Sequence, residues 1–179
     1  MRVISGSCRG RRLLEPSNMD VRPTTDQVKE SLFNIIQFDI EGRRALDLFA
    51  GTGQLGIEAL SRGAAECVFV DAARESVRLV KENLRRCGLS ANVMLCDSLG
   101  YLRMGGKFDL IFIDPPYGTG LDEKAMLSVV EFDNLTKGGI MIVETRPETV
   151  LPALPEEYAV RTYRYGKIKL TVITRGTEA

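Results

Sequence analysis

The chain has 179 residues, with 24 Lys and Arg against 24 Asp and Glu, 44% hydrophobic residues and no histidine. That length suits one domain, or a domain with a small appendage, and leaves ample chain for a core. Zero net charge argues against strong, indiscriminate binding to nucleic acid, and the missing histidine excludes Ser-His-Asp and Cys-His catalysis.

Cys8, Cys67, Cys87 and Cys96 are widely spaced with no C-x-x-C pair, which predicts neither a zinc site nor a disulfide scaffold, and no metal. Cys67 and Cys96 fall in predicted strands, where a thiol behaves as a small buried hydrophobe. No apolar stretch approaches the length of a membrane span, and Met1-Arg2-Val3-Ile4-Ser5-Gly6 does not read as a signal peptide. The expected location is the cytoplasm, with no membrane partner.

In chain order, Arg2, Arg9, Arg11 and Arg12 precede the first acidic residue, Glu15, and Arg22 follows soon after. A basic arm on a balanced body suits a local phosphate contact, although a merely solvated surface has the same charge pattern. Val3-Ile4 and Arg12-Leu13-Leu14, separated by Gly6 and Gly10, predict a small hairpin. Thr25 to Phe38 predicts a helix with Thr24 or Thr25 as N-cap and Val28, Leu32, Ile35 and Ile36 as its apolar face. Residues 1–44 thus read as a hairpin-and-helix extension, suited to RNA contact, on a main domain of residues 45–179.

From residue 45, apolar runs alternate with amphipathic stretches, the pattern of an α/β domain whose parallel sheet is covered by helices. Predicted strands are Ala45 to Phe49, Cys67 to Val70, Asn92 to Cys96, Phe108 to Ile113 and Ile140 to Glu144. Predicted helices are Gly53 to Arg62, Arg74 to Cys87 with Gly88 as C-cap, and Glu123 to Val130. Tyr158 to Tyr165 and Ile168 to Thr174 flank Gly166-Lys167 and predict an antiparallel hairpin that finishes the sheet.

Two constellations carry chemistry. Asp114-Pro115-Pro116-Tyr117 lies just past the fourth strand, where open α/β sheets place their sites. It offers a carboxylate, a prolyl carbonyl on a stiff backbone and an aromatic face, a set that grips a planar group bearing an exocyclic amine. The bland alternative is a strand-ending turn with an exposed tyrosine. The second constellation is Gly51-x-Gly53-x-x-Gly56 at a helix start, with Asp71 closing the next strand, which also fits a dinucleotide fingerprint.

Three features favour S-adenosylmethionine (SAM) over NAD. Asp47 precedes the glycine loop, where a pyrophosphate has no use for a carboxylate but a cationic ammonium does. Asp97 ends the third strand, placed for an adenine amine, while Asp71 would take the ribose hydroxyls. The Asp114 loop, finally, has no job in hydride transfer. Singly, each acid is more simply a turn carboxylate; three at successive strand ends are far more specific.

With these residues in hand, the chain resembles a class I SAM-dependent methyltransferase. It most resembles the bacterial family that methylates the exocyclic N2 of a guanine in small-subunit ribosomal RNA. The resemblance rests on Arg2-Val3-Ile4-Ser5-Gly6, Arg9-Gly10-Arg11-Arg12-Leu13, the block from Arg22 to Asn34, Leu46-Asp47-Leu48-Phe49-Ala50-Gly51-Thr52-Gly53, Leu60 to Ala65 and Asp114-Pro115-Pro116-Tyr117. The Arg22 block is what narrows it to this family.

The resemblance implies a Rossmann-like sheet of seven mostly parallel strands, helices on both faces, a SAM cofactor and an RNA substrate on a partly assembled ribosomal particle. The expected cofactor set is Asp47, Phe49, Ala50, Gly51, Gly53, Asp71, Asp97 and Ser98. Asp114, Pro115 and Tyr117 are the expected catalytic group, and Tyr117, Arg9, Arg11, Arg12 and Arg22 the substrate contacts. Gly118-Thr119-Gly120 departs mildly from the family as a flexible continuation. Rival readings with the same loop are an adenine-N6 or protein-glutamine methyltransferase, or a noncatalytic SAM- or RNA-binding module.

Overall fold

A computed structural model describes residues 1–16 and 26–177. Seven strands form one sheet in the order β3-β2-β1-β4-β5-β7-β6. The first five are β1 (Arg44–Asp47), β2 (Glu66–Asp71), β3 (Asn92–Leu95), β4 (Phe108–Ile113) and β5 (Leu135–Thr145), all mutually parallel. β7 (Ile168–Arg175) runs antiparallel to both β5 and β6 (Tyr158–Tyr165), so the predicted hairpin is present, with β7 inserted between its neighbours.

Alternation along the strands sorts side chains into two cores, because successive residues point to opposite faces. Phe69, Phe112 and Ile142 pack on one face against α1 (Asp26–Ile35), α2 (Gln54–Ser61) and α3 (Arg74–Cys87). Val68, Ile111 and Val143 pack on the other against α4 (Ser98–Arg103) and α5 (Leu121–Glu131). Sheet and helices therefore make the Rossmann-like, three-layer arrangement that the alternating pattern predicts.

The departures have local causes. α4 lies where no element is expected: six residues are too few to display a helical period, and its start depends on the Asp97 side chain accepting the Gly100 amide. β5 begins five residues before its predicted start, because Gly138 and Gly139 interrupt the apolar run, whereas the strand starts with Leu135 opposite Phe108 and resumes pairing at Ile140 opposite Leu110 after a register shift. β3 ends at Leu95, so Cys96 is a half-buried residue beyond the strand, whereas Cys67 is fully buried in β2 as expected. The predicted N-terminal hairpin is reduced to one antiparallel bridge, Arg2 to Arg12, with Val3 donating to the Arg11 carbonyl at 2.9 Å. α1 stops at Ile35, and Thr24, Thr25 and Arg22 lie outside the described residues.

This N-terminal segment is clamped to the domain by one buried carboxylate. Glu58 of α2 accepts the amides of Ile4 at 2.8 Å and Ser5 at 3.0 Å, and the Arg62 guanidinium at 2.8 Å. The ammonium of Lys29 on α1 stands 3.7 Å away, and both side chains are fully buried. Desolvation holds the Lys29 pKa below its ordinary value even with Glu58 beside it. Val3, Cys8 and Leu13 join the same apolar cluster as α1 and the sheet.

Removing Glu58 leaves the buried Lys29 ammonium and the amides of Ile4 and Ser5 without their carboxylate. Glu58→Ala should lower the unfolding free energy by about 3–5 kcal/mol, measured by urea titration. Converting both ends, in Lys29→Met with Glu58→Leu, should recover part of that loss. Equal losses in the single and double variants would show that the amides of Ile4 and Ser5, and not the ion pair, carry the clamp.

Candidate active site

The carboxyl ends of β1, β2 and β4 face one edge of the sheet, and the predicted acids gather there. Asp47, 2% exposed, is the last residue of β1. Its carboxylate accepts the Gly56 amide at 2.9 Å. Gly56 stands in the first turn of α2, whose N-cap Gly53 has φ 79° and no side-chain bond. Asp47 therefore caps the helix from below, supplying the acceptor that its N-terminal amides lack. Burial pushes the Asp47 pKa up to about 7, against the lowering pull of the Gly56 amide and with a further push from Asp71.

Gly56 is held for space: a Cβ there would stand 2.3 Å from the Phe69 ring and 2.8 Å from the Cys67 sulfur. Gly51 is held for conformation, at φ 55°, and an added Cβ would meet nothing within 4 Å. Its outer side is open toward a ligand. The loop between is fastened by Ala50 donating to the Val70 carbonyl at 2.9 Å and Leu48 to the Phe112 carbonyl at 3.1 Å. Phe49, half-buried, packs into the apolar cluster under α4 and α5.

Asp71 binds the loop from the neighbouring strand. One of its oxygens accepts the Gly51 amide and the other the Ala73 amide, each at 2.8 Å. Each oxygen keeps a second acceptor direction. Asp97 is exposed and caps α4, accepting the Gly100 amide at 2.7 Å. The Ser98 hydroxyl is buried and donates to the Leu48 carbonyl at 2.8 Å, so that side chain ties α4 to the end of β1 and is not offered outward.

On the other side of β1, Asp114 is half-buried, Pro115 buried and Tyr117 40% exposed. The Tyr117 hydroxyl donates to the Glu144 carboxylate at 2.8 Å, and the Arg146 guanidinium lies 5.4 Å from the ring centroid. Burial, then Glu144, raises the Tyr117 pKa, which keeps the phenol protonated. Glu144 and Arg146 carry no sequence signal of their own. Glu144 closes a predicted strand, and only the pairing of β4 with β5 brings it to Tyr117. Gly118-Thr119-Gly120, expected as a loose continuation, makes a bonded turn: the Thr119 hydroxyl donates to the Pro116 carbonyl at 2.8 Å, and Gly120 is the N-cap of α5.

The arm residues lie elsewhere. Arg9 and Arg11 follow Cys8 by one and three residues, and the Cys8 amide bonds to the Ser61 hydroxyl while its thiol bonds to the Cys87 carbonyl. Those partners are the C-terminal ends of α2 and α3, at the amino edge of the sheet. Arg9 and Arg11 are thus separated from the Asp114 loop by the length of α2, roughly 12 Å. Arg12 is exposed at the bridge to Arg2. The segment just after it approaches the glycine loop, since the Leu14 amide bonds to the Asn83 side chain, which also donates to the Thr52 carbonyl. Among the described residues no cluster of metal-ligating side chains occurs, and no helix is long and apolar enough to cross a membrane.

A family model described as conserved hypothetical protein 95 matches residues 1–174. Ribosomal RNA small subunit methyltransferase D of Escherichia coli K12 is 35% identical over 162 residues, covering 89% of this chain and 82% of that protein. The solved structure of Escherichia coli yhhF superposes with a TM-score of 0.88 at 30% identity, covering 99% of both chains. The 16S rRNA N2 G1207 methyltransferase of Thermus thermophilus, solved with AdoMet and guanosine, superposes with a TM-score of 0.70 at 26% identity, covering 89% of this chain and 44% of that one. By its sequence over residues 1–174 and by its fold, this chain belongs to the conserved hypothetical protein 95 family, which includes the small-subunit ribosomal RNA methyltransferase D proteins.

Proposed function

We propose that this chain transfers a methyl group from SAM to the exocyclic N2 amine of a guanine in small-subunit ribosomal RNA. The observation that carries this is the pairing of two sites on neighbouring strands. One is an open glycine loop ringed by Asp47, Asp71 and Asp97; the other is an Asp-Pro-Pro-Tyr loop whose tyrosine is anchored through Glu144. The guanosine and AdoMet bound by the Thermus thermophilus protein support the same division of labour.

The cofactor side fits SAM better than a dinucleotide. A pyrophosphate needs the free amides of a helix N-terminus, whereas here Asp47 already takes the Gly56 amide and sets a carboxylate beneath it. That carboxylate suits an ammonium, reached by its field or through a water. Asp71 binds the ribose hydroxyls with its remaining acceptor directions. Asp97 has one oxygen committed to Gly100 and offers the other to the adenine amine.

When bound, SAM supplies a methyl group on a cationic sulfonium. A guanine amine is a poor nucleophile because its lone pair is delocalised into the ring. The Asp114 carboxylate and the Pro115 carbonyl accept its two N–H bonds and draw the nitrogen toward a pyramidal shape, freeing the lone pair for in-line attack. The bound cofactor would supply the methyl and its sulfur would keep the bonding pair, while Asp114 would accept the surplus proton from the amine nitrogen. Tyr117 receives the unstacked base on its ring, held at a fixed angle by its bond to Glu144. Orientation and charge placement do the catalysis, without a covalent intermediate. The substrate is the RNA in a partly assembled particle in the cytoplasm. The extension of residues 1–44, with Arg9, Arg11, Arg12 and Arg22, adds phosphate contacts.

Tritium transfer from labelled SAM to small-subunit RNA, followed by methyl mapping in cells lacking the protein, tests the whole reading. Transfer to an adenine or to protein alone would replace it. Asp71→Ala should weaken SAM binding in calorimetry by about 1–3 kcal/mol, and unchanged affinity would remove Asp71 from the ribose. Asp47 adds a pH signature. Its pKa of about 7 leaves it neutral in more acid solution, so SAM affinity should fall as pH drops from 7 to 5. Asp47→Asn should flatten that profile; a variant with the parent's slope would exclude Asp47 as its source. Asp114→Ala should cut methyl transfer on the order of 100-fold or more with SAM affinity kept, and near-parental turnover would make the loop structural.

A further inference from the structure

In a chain whose charges sum to zero, the stretch from Tyr158 to Arg175 contains Arg161, Arg164, Lys167, Lys169 and Arg175 and no Asp or Glu. This stretch is β6, its turn and β7. Two of the cations are engaged. Arg175 pairs with Asp133 and Glu157, and Lys169 is buried with its ammonium on the Thr149 carbonyl. Arg164 and Lys167 are exposed and form no ion pair among the described residues, unlike Arg78 and Arg85 on α3, which are bound to glutamates.

The strand register puts these cations at the catalytic edge. Thr145, at the carboxyl end of β5, is opposite Lys169, and Tyr165 is opposite Ile168, so the Gly166-Lys167 turn projects from the same edge as the Asp114 loop. β7 is two strands from β4, roughly 10 Å away. Arg146 spans the interval, exposed and with its guanidinium over the Tyr117 ring. Below it a groove of about 360 Å³ runs between β6–β7 and the loop after β5, with Arg164 and Lys169 on its wall and Glu148 as its one acid.

On the β1–β3 side the same edge presents Asp71 and Asp97. A polyanion whose base rests on Tyr117 is repelled by those carboxylates and drawn toward β7 and β6. We infer that the β6–β7 turn, with Arg146, Arg164 and Lys167, is the docking surface for the phosphate backbone of the RNA flanking the target base. This rests on the RNA reading above. The two arginines bind phosphate oxygens bidentately and the lysine as a point charge. The balanced net charge conceals this surface, because the compensating acids lie elsewhere in the chain.

The experiment compares three proteins on a fluorescein-labelled small-subunit RNA fragment: the parent, Arg146→Ala/Arg164→Ala/Lys167→Ala, and Arg9→Ala/Arg11→Ala/Arg12→Ala. Anisotropy across a salt series gives affinity and slope, calorimetry with SAM reports the intact cofactor side, and tritium transfer gives KM and kcat. The turn variant should bind RNA on the order of tenfold more weakly, with log affinity less dependent on log salt by roughly 0.7 for each lost contact. KM for RNA should rise with SAM affinity unchanged, and Arg164→Ala/Lys167→Ala, which leaves Arg146 over the Tyr117 ring, should raise KM with kcat near the parent's at saturating RNA. Lys167→Arg alone, which keeps the charge, should bind like the parent. Parental affinity and slope in the turn variant, or a loss confined to the arm variant, would overturn the inference while leaving the methylation reading intact. A parent that binds no RNA would overturn both.

Discussion

The hydrogen bond from the Gly56 amide to the buried Asp47 carboxylate is the contact on which the rest of the site depends. It joins the end of β1 to the start of the first crossover helix, and so sets the path of the glycine loop between them. Asp71 can then reach the Gly51 amide from the next strand, and Ser98 can reach the Leu48 carbonyl from α4. Three strand ends are thereby bound into one rigid rim. Keeping a carboxylate there against desolvation is what drives its pKa to about 7, so the same burial that builds the rim makes it sensitive to pH near neutrality.

A second carboxylate organises the other half of the edge. Glu144 is buried on β5 and receives the Tyr117 hydroxyl, which keeps the aromatic ring at a set angle beside Asp114 while its face stays exposed. Arg146, two residues later on the same edge, covers part of that ring. The loop is stiff by sequence, through its two prolines, but its orientation comes from β5. The halves differ in sign: acids surround the glycine loop, and cations gather toward β7. A sulfonium cofactor and a polyanionic substrate call for that separation.

Glu58 plays a third part, away from the chemistry. It gathers Lys29, Arg62 and two amides of the N-terminal segment around a buried carboxylate, where breaking the group costs far more than an exposed pair would. Residues 1–16 are by this means a wall of the domain's own core, sharing its apolar cluster with α1 and the sheet.

The sequence alone determined the alternating α/β order, the boundaries of α3 and β4, the terminal hairpin, the glycine loop and the Asp-Pro-Pro-Tyr loop. Each is a short-range pattern: apolar periodicity, a capping glycine, a motif within a few residues. The identity of the strand-end acids was legible for the same reason. Their bonding was not. Asp47 caps a helix, Asp71 reaches across to the Gly51 amide, and the Ser98 hydroxyl faces inward, because each of those partners is nine to fifty residues away in sequence. Glu144 becomes the partner of Tyr117 only through the parallel pairing of β4 with β5. Net charge and the N-terminal run of arginines pointed to the arm, yet chain order carries no information about which edge of a sheet a residue occupies. The antiparallel insertion of β7 lifts Arg164 and Lys167 to the catalytic edge, and the docking of Cys8 against Ser61 and Cys87 leaves Arg9 and Arg11 at the opposite one. Strand pairing and buried polar contacts are long-range, and only the tertiary structure decided them.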